Sequence, residues 1–584
     1  MTLALRKPGL ALTFFLLVQI GLCQIPKQGS VLHYTEVYFE TNFVAGASRY
    51  ELRVYGDSLH TNLIGKKESM LPAFWVKDLK WGHPYWWTVN AQAEKGTLSS
   101  SEIYQKFTLQ NKINALYVAD TKMDVKCDKS DKNAGGLIVL DHARGIFDRE
   151  GKQIWALPTI KGLIDPRKLI RDLNVTFDHH ITVLAGPQPV ELDFEGHVLW
   201  RAPYPLIMGG DTIIYHHDFK KYENGHYFVL GNKKVSRKVT GAYPDSVLKI
   251  EANMYYKNDT LVKRTVHGML LEFDENGKLV WFWESNSYIR DEDLNYKKSE
   301  NGTPTFGTHM NAFSVNAKNT KAYLGFRDLN RIVRVDKKSG KVDLSYGEKY
   351  PSGEARIGND LFRGQHDATI TNRHTLLVFN NNNTQREGSG VSSILELKEN
   401  ASKNEDLLVW KFDLNFDTLT NGKSTSAGNI SELANGNLLV CGGVLPRIFE
   451  VNKSKEIVWD AFMFSKGGSD SAFTYFPQYR SHWTSQLYFY HLLATCDVQN
   501  NSTKNRIELI CDVYNTGNCE DTYLVELIRN EKEIIQSHKT QALKSWEHVR
   551  EQFQIKGTEA DLKTYHLKIQ SMNDPHLTKE LTLN

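Results

Sequence analysis

Asn276-Gly277-Lys278-Leu279-Val280-Trp281 reads as a Gly turn followed by a short strand that closes on an aromatic ring. The same phrase stands upstream as Arg149-Glu150-Gly151-Lys152-Gln153-Ile154-Trp155 and as Glu195-Gly196-His197-Val198-Leu199-Trp200. Downstream it stands as Ser339-Gly340-Lys341-Val342-Asp343-Leu344, Leu407-Leu408-Val409-Trp410 and Lys455-Glu456-Ile457-Val458-Trp459. Six copies over roughly 300 residues, each a hairpin too small to bury its own apolar face, predict repeated sheet modules around one axis. The expected fold is all-β, a six-bladed β-propeller. A long array of sandwiches is the alternative, but sandwiches rarely repeat one turn-plus-Trp phrase at intervals of about 45 to 80 residues.

Outside the repeat, the flanks predict two further modules. Residues 24–109 carry alternating strands such as Tyr50-Glu51-Leu52-Arg53-Val54-Tyr55 and, after Gly82-His83-Pro84, Tyr85-Trp86-Trp87-Thr88-Val89-Asn90, as in a fibronectin type III-like sandwich. Residues 486–584 read as a C-terminal β-sandwich, with a helix expected near Thr540 to Phe553. The propeller then occupies 110–485. A packing role, or a homo-oligomer through the sandwich domains, is the default for flanks without a catalytic constellation. The whole chain of 584 residues has 71 Lys plus Arg against 68 Asp plus Glu, a net charge of +3. That balance removes the electrostatic case for nucleic acid, which needs a basic excess or stripe.

At the N-terminus, Arg6 and Lys7 precede the apolar run Leu10 to Leu22, and Gly21 and Cys23 form a small-x-small site before Gln24. The run is short for a membrane span, so residues 1–23 read as a cleaved secretory signal and the protein as secreted, without a membrane anchor. Five cysteines remain: Cys127, Cys441, Cys496, Cys511 and Cys519. Cys441, in an apolar strand, is the expected free thiol. Cys511 and Cys519 flank the turn Asn515-Thr516-Gly517-Asn518 and could bridge, although sequence does not fix pairing. None of the spacings suits zinc. Glycosylation sequons begin at Asn174, Asn258, Asn301, Asn382, Asn400, Asn429, Asn452, Asn500 and Asn501.

A second phrase precedes the first and carries the chemistry. It reads His216-His217-Asp218 before Asn224-Gly225, His309-Met310-Asn311 before Lys318, Gln365-His366-Asp367 before Asn372-Arg373, and Gly428-Asn429-Ile430-Ser431 before Asn435-Gly436. Residues at one phase of successive blades are related by the propeller's rotation, so three histidines converge on one mouth of the channel. A turn centred on Lys318 sets His309 opposite Arg327, with Asn311 on the same face by the two-residue period. One hairpin then offers an imidazole, an amide and a guanidinium to an anion.

From Asp211 to Trp483 these residues resemble the PAPS-independent arylsulfate sulfotransferases. The motifs are His217-Asp218 with Asn224-Gly225, His309-x-Asn311 with Arg327, Gly364-Gln365-His366-Asp367, Asn435-Gly436-Asn437-Leu438-Leu439-Val440 and Tyr479-Arg480-Ser481-His482-Trp483. The resemblance implies transfer of a sulfuryl group from an aryl sulfate donor to a phenolic acceptor through a sulfohistidine, with no cofactor. It places the nucleophile at His366, with His217, His309 and Arg327 around the sulfuryl oxygens. One of His217 and His309 would exchange the phenolic proton. Asp218 and Asp367, each next to a histidine, would on a regular strand face away and fix backbone or a neighbouring ring.

At the last channel position Ser431 fits a substrate-binding role best, with Asn429 the alternative and its sequon unused. The gap from His217 to His309 exceeds that from His309 to His366, and the excess, Asn232 to Arg264, is a Lys-rich insertion read as a lid. Competing readings are a non-catalytic propeller binding an anion or glycan, and a three-His metal site for hydrolase or lyase chemistry. Arg327 opposes the second, since a guanidinium repels a metal cation.

Overall fold

The computed structural model describes residues 24–583 except 95, 100–103, 113–117, 130–134, 239–253, 291–292, 295–306, 349–360, 385–387, 400–406, 416–420, 469–470 and 502–505. Asn301 and Asn400 fall outside the described residues, as does the segment 1–23. The chain forms two compact units, one of Met1–Gln110 with Tyr488–Asn584 and one of Asn111–Leu487. Strands dominate both, and the fold is all-β.

The larger unit is propeller-like: among the described residues, six antiparallel sheets of four or more strands follow one another along the chain. The second sheet orders Ile170–Val175, Ile181–Ala185, Gln188–Leu192 and Val198–Arg201. The third is built on Asp211–Lys221, Tyr227–Lys238, Thr260–Phe273 and Leu279–Glu284. The fourth runs Met310–Val315, Lys321–Phe326, Arg331–Asp336 and Val342–Gly347. His366–Ile370, Thr375–Asn380, Ser393–Lys398 and Leu408–Asp413 make the fifth. Asn429–Glu432, Leu438–Cys441, Arg447–Val451 and Ile457–Lys466 make the sixth, with Asp120–Asp128 added beyond its last strand. The first sheet is shared between distant parts of the chain. Its strands Leu137–Leu140, Gly145–Phe147 and Gln153–Ala156 are completed by Ser481–Thr484, paired antiparallel with Leu137–Leu140.

The repeated phrase falls on the fourth strand of each sheet, and its indole N–H explains part of the repetition. Trp155 Nε1 donates to Phe194 O at 2.9 Å, Trp281 to Lys337 O at 3.1 Å, Trp410 to Lys453 O at 3.0 Å and Trp459 to Arg149 O at 3.0 Å. Each acceptor lies at or beside the last turn of the following sheet, so Gly turn and Trp recur together because one receives the other. Leu344 has no such donor to offer, and the Trp200 indole is buried without a partner.

An inner set of bonds joins the innermost strands. Asp172 Oδ2 accepts from Phe219 N at 2.8 Å, and Asp218 Oδ2 from Phe313 N at 3.3 Å. Asn311 Nδ2 donates to Gln365 O at 2.9 Å, and Asp367 Oδ2 accepts from Ile430 N at 2.8 Å. The Asn429 amide takes Ser481 N and gives to Ser481 O, both at 2.8 Å. His482 Nε2 meets Asp172 Oδ1 at 2.9 Å, which returns to the second sheet. In the second to fifth sheets these side chains reach sideways because the strands are bulged there: register shifts fall at 171/174, 216/219, 310/312 and 366/368. Asp172, His217, His309 and Asp367 have φ of 51°, 61°, 44° and 54°, a region that non-Gly residues rarely occupy. The bulge also corrects the two-residue expectation for Asn311. Arg327 N does donate to His309 O at 3.0 Å, but the shift past Met310 turns the Asn311 amide to the fifth sheet.

In the smaller unit, Tyr38 stacks on His491 at 3.8 Å, and Trp75 Nε1 donates to Thr516 O at 3.0 Å. The N- and C-terminal flanks therefore share one compact unit. Two expectations are corrected here. His548–Lys556 is a strand paired with Arg506–Asn515, because Val549, Phe553 and Ile555 alternate with exposed residues and outweigh the helix-forming Glu and Gln between them. Cys511 lies mid-strand opposite Cys496, while Cys519 Sγ approaches Phe489 O at 3.5 Å, so Cys511 and Cys519 do not bridge. Cys441 is a buried thiol. The described ends of the Lys-rich insertion extend the third sheet, with Lys238 still paired to Val262, and its middle, 239–253, lies outside the described residues.

Substituting Asp367→Ala strips a buried N–H of its acceptor and should cost about 1–3 kcal/mol. A chemical denaturation midpoint measures it; a midpoint unchanged from wild type would show that the inter-sheet bonds are idle.

Candidate active site

The bulges of three inner strands, with the segment Tyr479-Arg480, bring together the polar groups of one site. The His217 and His309 rings lie 5.6 Å apart between centroids. Tyr479 sits between sheets, 5.9 Å from His217 and 6.3 Å from His366. Two guanidinium groups lie over its ring, Arg171 at 4.9 Å and Arg480 at 4.6 Å. Asp141 holds this segment in place by accepting from Tyr479 N at 3.1 Å and Arg480 N at 3.0 Å.

Each histidine has a different partner at Nδ1. His366 Nδ1 lies 2.7 Å from Asn381 Oδ1, and Asn381 Nδ2 donates to Ser424 O at 2.8 Å and Ala427 O at 3.0 Å. With the amide nitrogen committed, the atom facing His366 is the carbonyl oxygen. His366 must therefore carry its proton on Nδ1, which leaves a lone pair on Nε2. His309 Nδ1 lies 2.9 Å from Asp328 Oδ2, whose other oxygen is 3.4 Å from Arg327 Nη1. His217 Nδ1 lies 2.6 Å from His216 Nδ1.

Burial, reinforced by the Arg480 and Arg327 charges, holds the His366 pKa well below that of a free imidazole. Burial, then His216 and Arg171, does the same for His217. His216 is lowered to about 4, again chiefly by burial. Burial drives the Tyr479 phenol upward, so it is neutral. Arg171 Nε, Arg327 Nε and the Tyr479 hydroxyl are buried without a hydrogen-bond partner. Buried donors left unpaired are costly, and two belong to cations. Such a site suits an anion with several acceptor oxygens.

Ser431 does not join this group. It lies two residues past Asn429, toward the hairpin turns, and lines a cavity of about 1780 Å³ with Lys220, Asp367 and His482. That cavity is lined by none of His217, His309 and His366. Asn429 is spent on Ser481, and its burial at 3 % exposure leaves no room for a glycan. Asn174 lines the same cavity as Ser431 from an innermost strand, a poor place for the glycan expected there, whereas Asn258 is exposed in a turn. The Asn382 and Asn452 amides donate to Val391 O and Glu456 Oε2. Asn311 serves the inter-sheet bond and leaves Oδ1 without a partner.

Sequence reading missed Asp328, Asn381, Arg171 and the roles of His216 and Tyr479. Asp328 and Asn381 stand at the same place relative to strand pairing, two residues beyond the partners of Met310 and His366. That offset was the available signal. Among the described residues, acidic groups with a histidine in reach of one metal ion are Asp178, His180 and Glu191, and Asp193, Glu195 and His197. In the first, Lys221 Nζ sits on both carboxylates at 2.6 and 2.8 Å and takes the place of a cation.

Neutral imidazoles gathered beside unpaired cationic donors suit group transfer on an oxyanion. The family model described as Arylsulfotransferase (ASST) matches residues 122–466, more than half of the chain, and the protein belongs to that family. It is thus an arylsulfotransferase-type transferase whose substrates are small aryl compounds. No curated protein matches the sequence. Among solved structures, a streptogramin B lyase is 11% identical, with a TM-score of 0.30, 60% of this chain and 89% of that chain covered. The Cps50 (Swd1) β-propeller domain of Myceliophteria thermophila is 12% identical, with a TM-score of 0.29, 58% and 89% covered. Hydrazine synthase of Kuenenia stuttgartiensis is 10% identical, with a TM-score of 0.26, 61% and 80% covered. Likeness this slight bears on neither mechanism nor ligand.

The His216 shift has a thermodynamic sign. Below pH 6.5 the unfolded chain binds protons that the folded site refuses down to about 4, so stability should fall as pH drops through that window. Denaturation at pH 7 and pH 5 tests this, and His216→Gln should reduce the difference, to which His217 and His366 also contribute. A slope unchanged by that substitution would show that the ring is protonated in the folded state.

Proposed function

We propose that this protein is a secreted sulfotransferase that works without PAPS, moving a sulfuryl group between phenols through a sulfohistidine at His366. The observation that carries the reading is the pairing of His366 with Asn381, which points a neutral Nε2 lone pair away from its anchor in a site rich in unpaired donors. In the first half-reaction Nε2 attacks sulfur, the sulfur–oxygen bond breaks, and the phenolate takes a proton from His217 or His309. In the second, the acceptor oxygen attacks sulfur, the nitrogen–sulfur bond breaks, and the acceptor's proton returns to the same imidazole. Splitting one transfer into two suits imidazole, both nucleophile and leaving group.

The transferring group spreads negative charge over three oxygens, so fixed donors contribute most, as in phosphoryl transfer. Arg327 and Arg171, each with a buried unpaired Nε, supply them. The six sheets of the larger unit are read as six blades, and residues 24–109 as a fibronectin type III-like sandwich beside a C-terminal one. The apolar run before Gln24 supports export, and exposed Asn258 is the sequon best placed for a glycan.

Incubation with an aryl sulfate and a phenol, without nucleotide, should yield transfer and a sulfuryl-bearing peptide around His366. His366→Ala should abolish both, a loss of about 10³-fold or more if the nucleophile is essential. Label on another residue, or transfer that survives the substitution, would refute the assignment.

A further inference from the structure

We infer that His309, backed by Asp328, is the imidazole that exchanges the phenolic proton, and that His216 positions His217 as a neutral partner beside it. The inference rests on the sulfohistidine reading and decides between two residues that reading leaves equivalent.

The three site histidines differ in what stands behind them. A carboxylate faces His309 Nδ1 at 2.9 Å, an imidazole faces His217 Nδ1 at 2.6 Å, and an amide oxygen faces His366 Nδ1 at 2.7 Å. A ring that gains a proton at Nε2 becomes a cation, and only the carboxylate among these three carries the charge to balance it. The other oxygen of Asp328 lies 3.4 Å from Arg327 Nη1. The groups around His309 include Asp328, Arg327 just past the end of the facing strand, and the rings of His217 and His366.

His217 is surrounded differently. Its neighbours are His216, Arg171, His309, His366 and Tyr479, and none of them is anionic. Two Nδ1 atoms at 2.6 Å have room for one proton between them, so one ring donates and the other accepts. Charging either ring would set a cation next to the Arg171 guanidinium. His216 is thus a positioning residue that fixes the plane and tautomer of His217.

The proton balance is complete with these groups. As the sulfur–oxygen bond of the donor breaks, the His309 Nε2 proton passes to the phenolate oxygen, and Nδ1–H stays on Asp328. As the acceptor oxygen bonds to sulfur, its proton goes to His309 Nε2 and the electron pair of the nitrogen–sulfur bond returns to His366.

Leaving-group dependence separates the two histidines. A nitrophenolate leaves without protonation, whereas an unsubstituted phenolate needs a proton. Asp328→Asn and His309→Gln should therefore spare sulfuryl labelling of His366 by 4-nitrophenyl sulfate to within about tenfold, and lose about 10²–10⁴-fold with phenyl sulfate. His216→Gln should lower both donors by the same factor. Melting curves establish that each variant is folded, and two variants on the His309 side guard against one that is not. The inference is overturned if the leaving-group split appears in His217→Gln and is absent from the folded Asp328→Asn and His309→Gln proteins. Absence of label in wild type with either donor would instead sink the sulfohistidine reading, and this inference with it.

Discussion

Arg480 is the point on which the larger unit turns. Its guanidinium is buried, donates to Asp218 Oδ1 at 3.0 Å and Asn311 O at 3.3 Å, and reaches Gly428 O as well. Those acceptors belong to the third sheet, the fourth sheet and the approach to the sixth, so one side chain ties distant sectors of the ring. A buried charge is tolerated only when paired and hydrogen-bonded on several sides, and removing one member of such a pair costs about 3–5 kcal/mol. The same guanidinium lies over Tyr479 and adds to the field that keeps His366 neutral. Structural closure and the neutrality of the His366 ring thus draw on one cation.

Around that centre, two kinds of bond run from sheet to sheet. The outer ones use indole N–H groups and neighbouring turn carbonyls; the inner ones use carboxylates and amides on bulged strands. A bulge leaves an extra residue outside the ladder, which frees one side chain to reach a neighbouring sheet and turns the next one toward the channel. His217 beside Asp218, and His366 beside Asp367, show this division of work between adjacent residues. The acidic neighbours hold backbone, as Asp367 does for Ile430 N, and the histidine rings are left to the candidate site.

How far sequence could anticipate this follows from the range of each interaction. The Trp phrase was legible because it sits on one strand of every sheet, and the pairing of Arg327 with His309 because hairpin register is a local count. Asn311 and Ser431 were not, for two different reasons. A bulge breaks the two-residue period at Asn311, while Ser431 lies too far along its strand to stay at the histidine end. Asp328 and Asn381 announce themselves only once pairing is known, since each reaches a ring from just past the end of the neighbouring strand. Cys511 and the segment after Thr540 were misread because short-range turn and helix preferences were weighed without their cross-strand partners.

The shared first sheet has a consequence for how the molecule comes into being. Leu137–Leu140 must wait for Ser481–Thr484, more than three hundred residues later in synthesis, before its inner edge is covered. Contacts so distant in sequence are slow to form, and an uncovered strand edge invites wrong partners meanwhile. Tyr479 and Arg480 arrive immediately before that last strand. A chain interrupted before them could form most of its sheets and still lack the assembled candidate site, which is complete only when the first sheet has been joined.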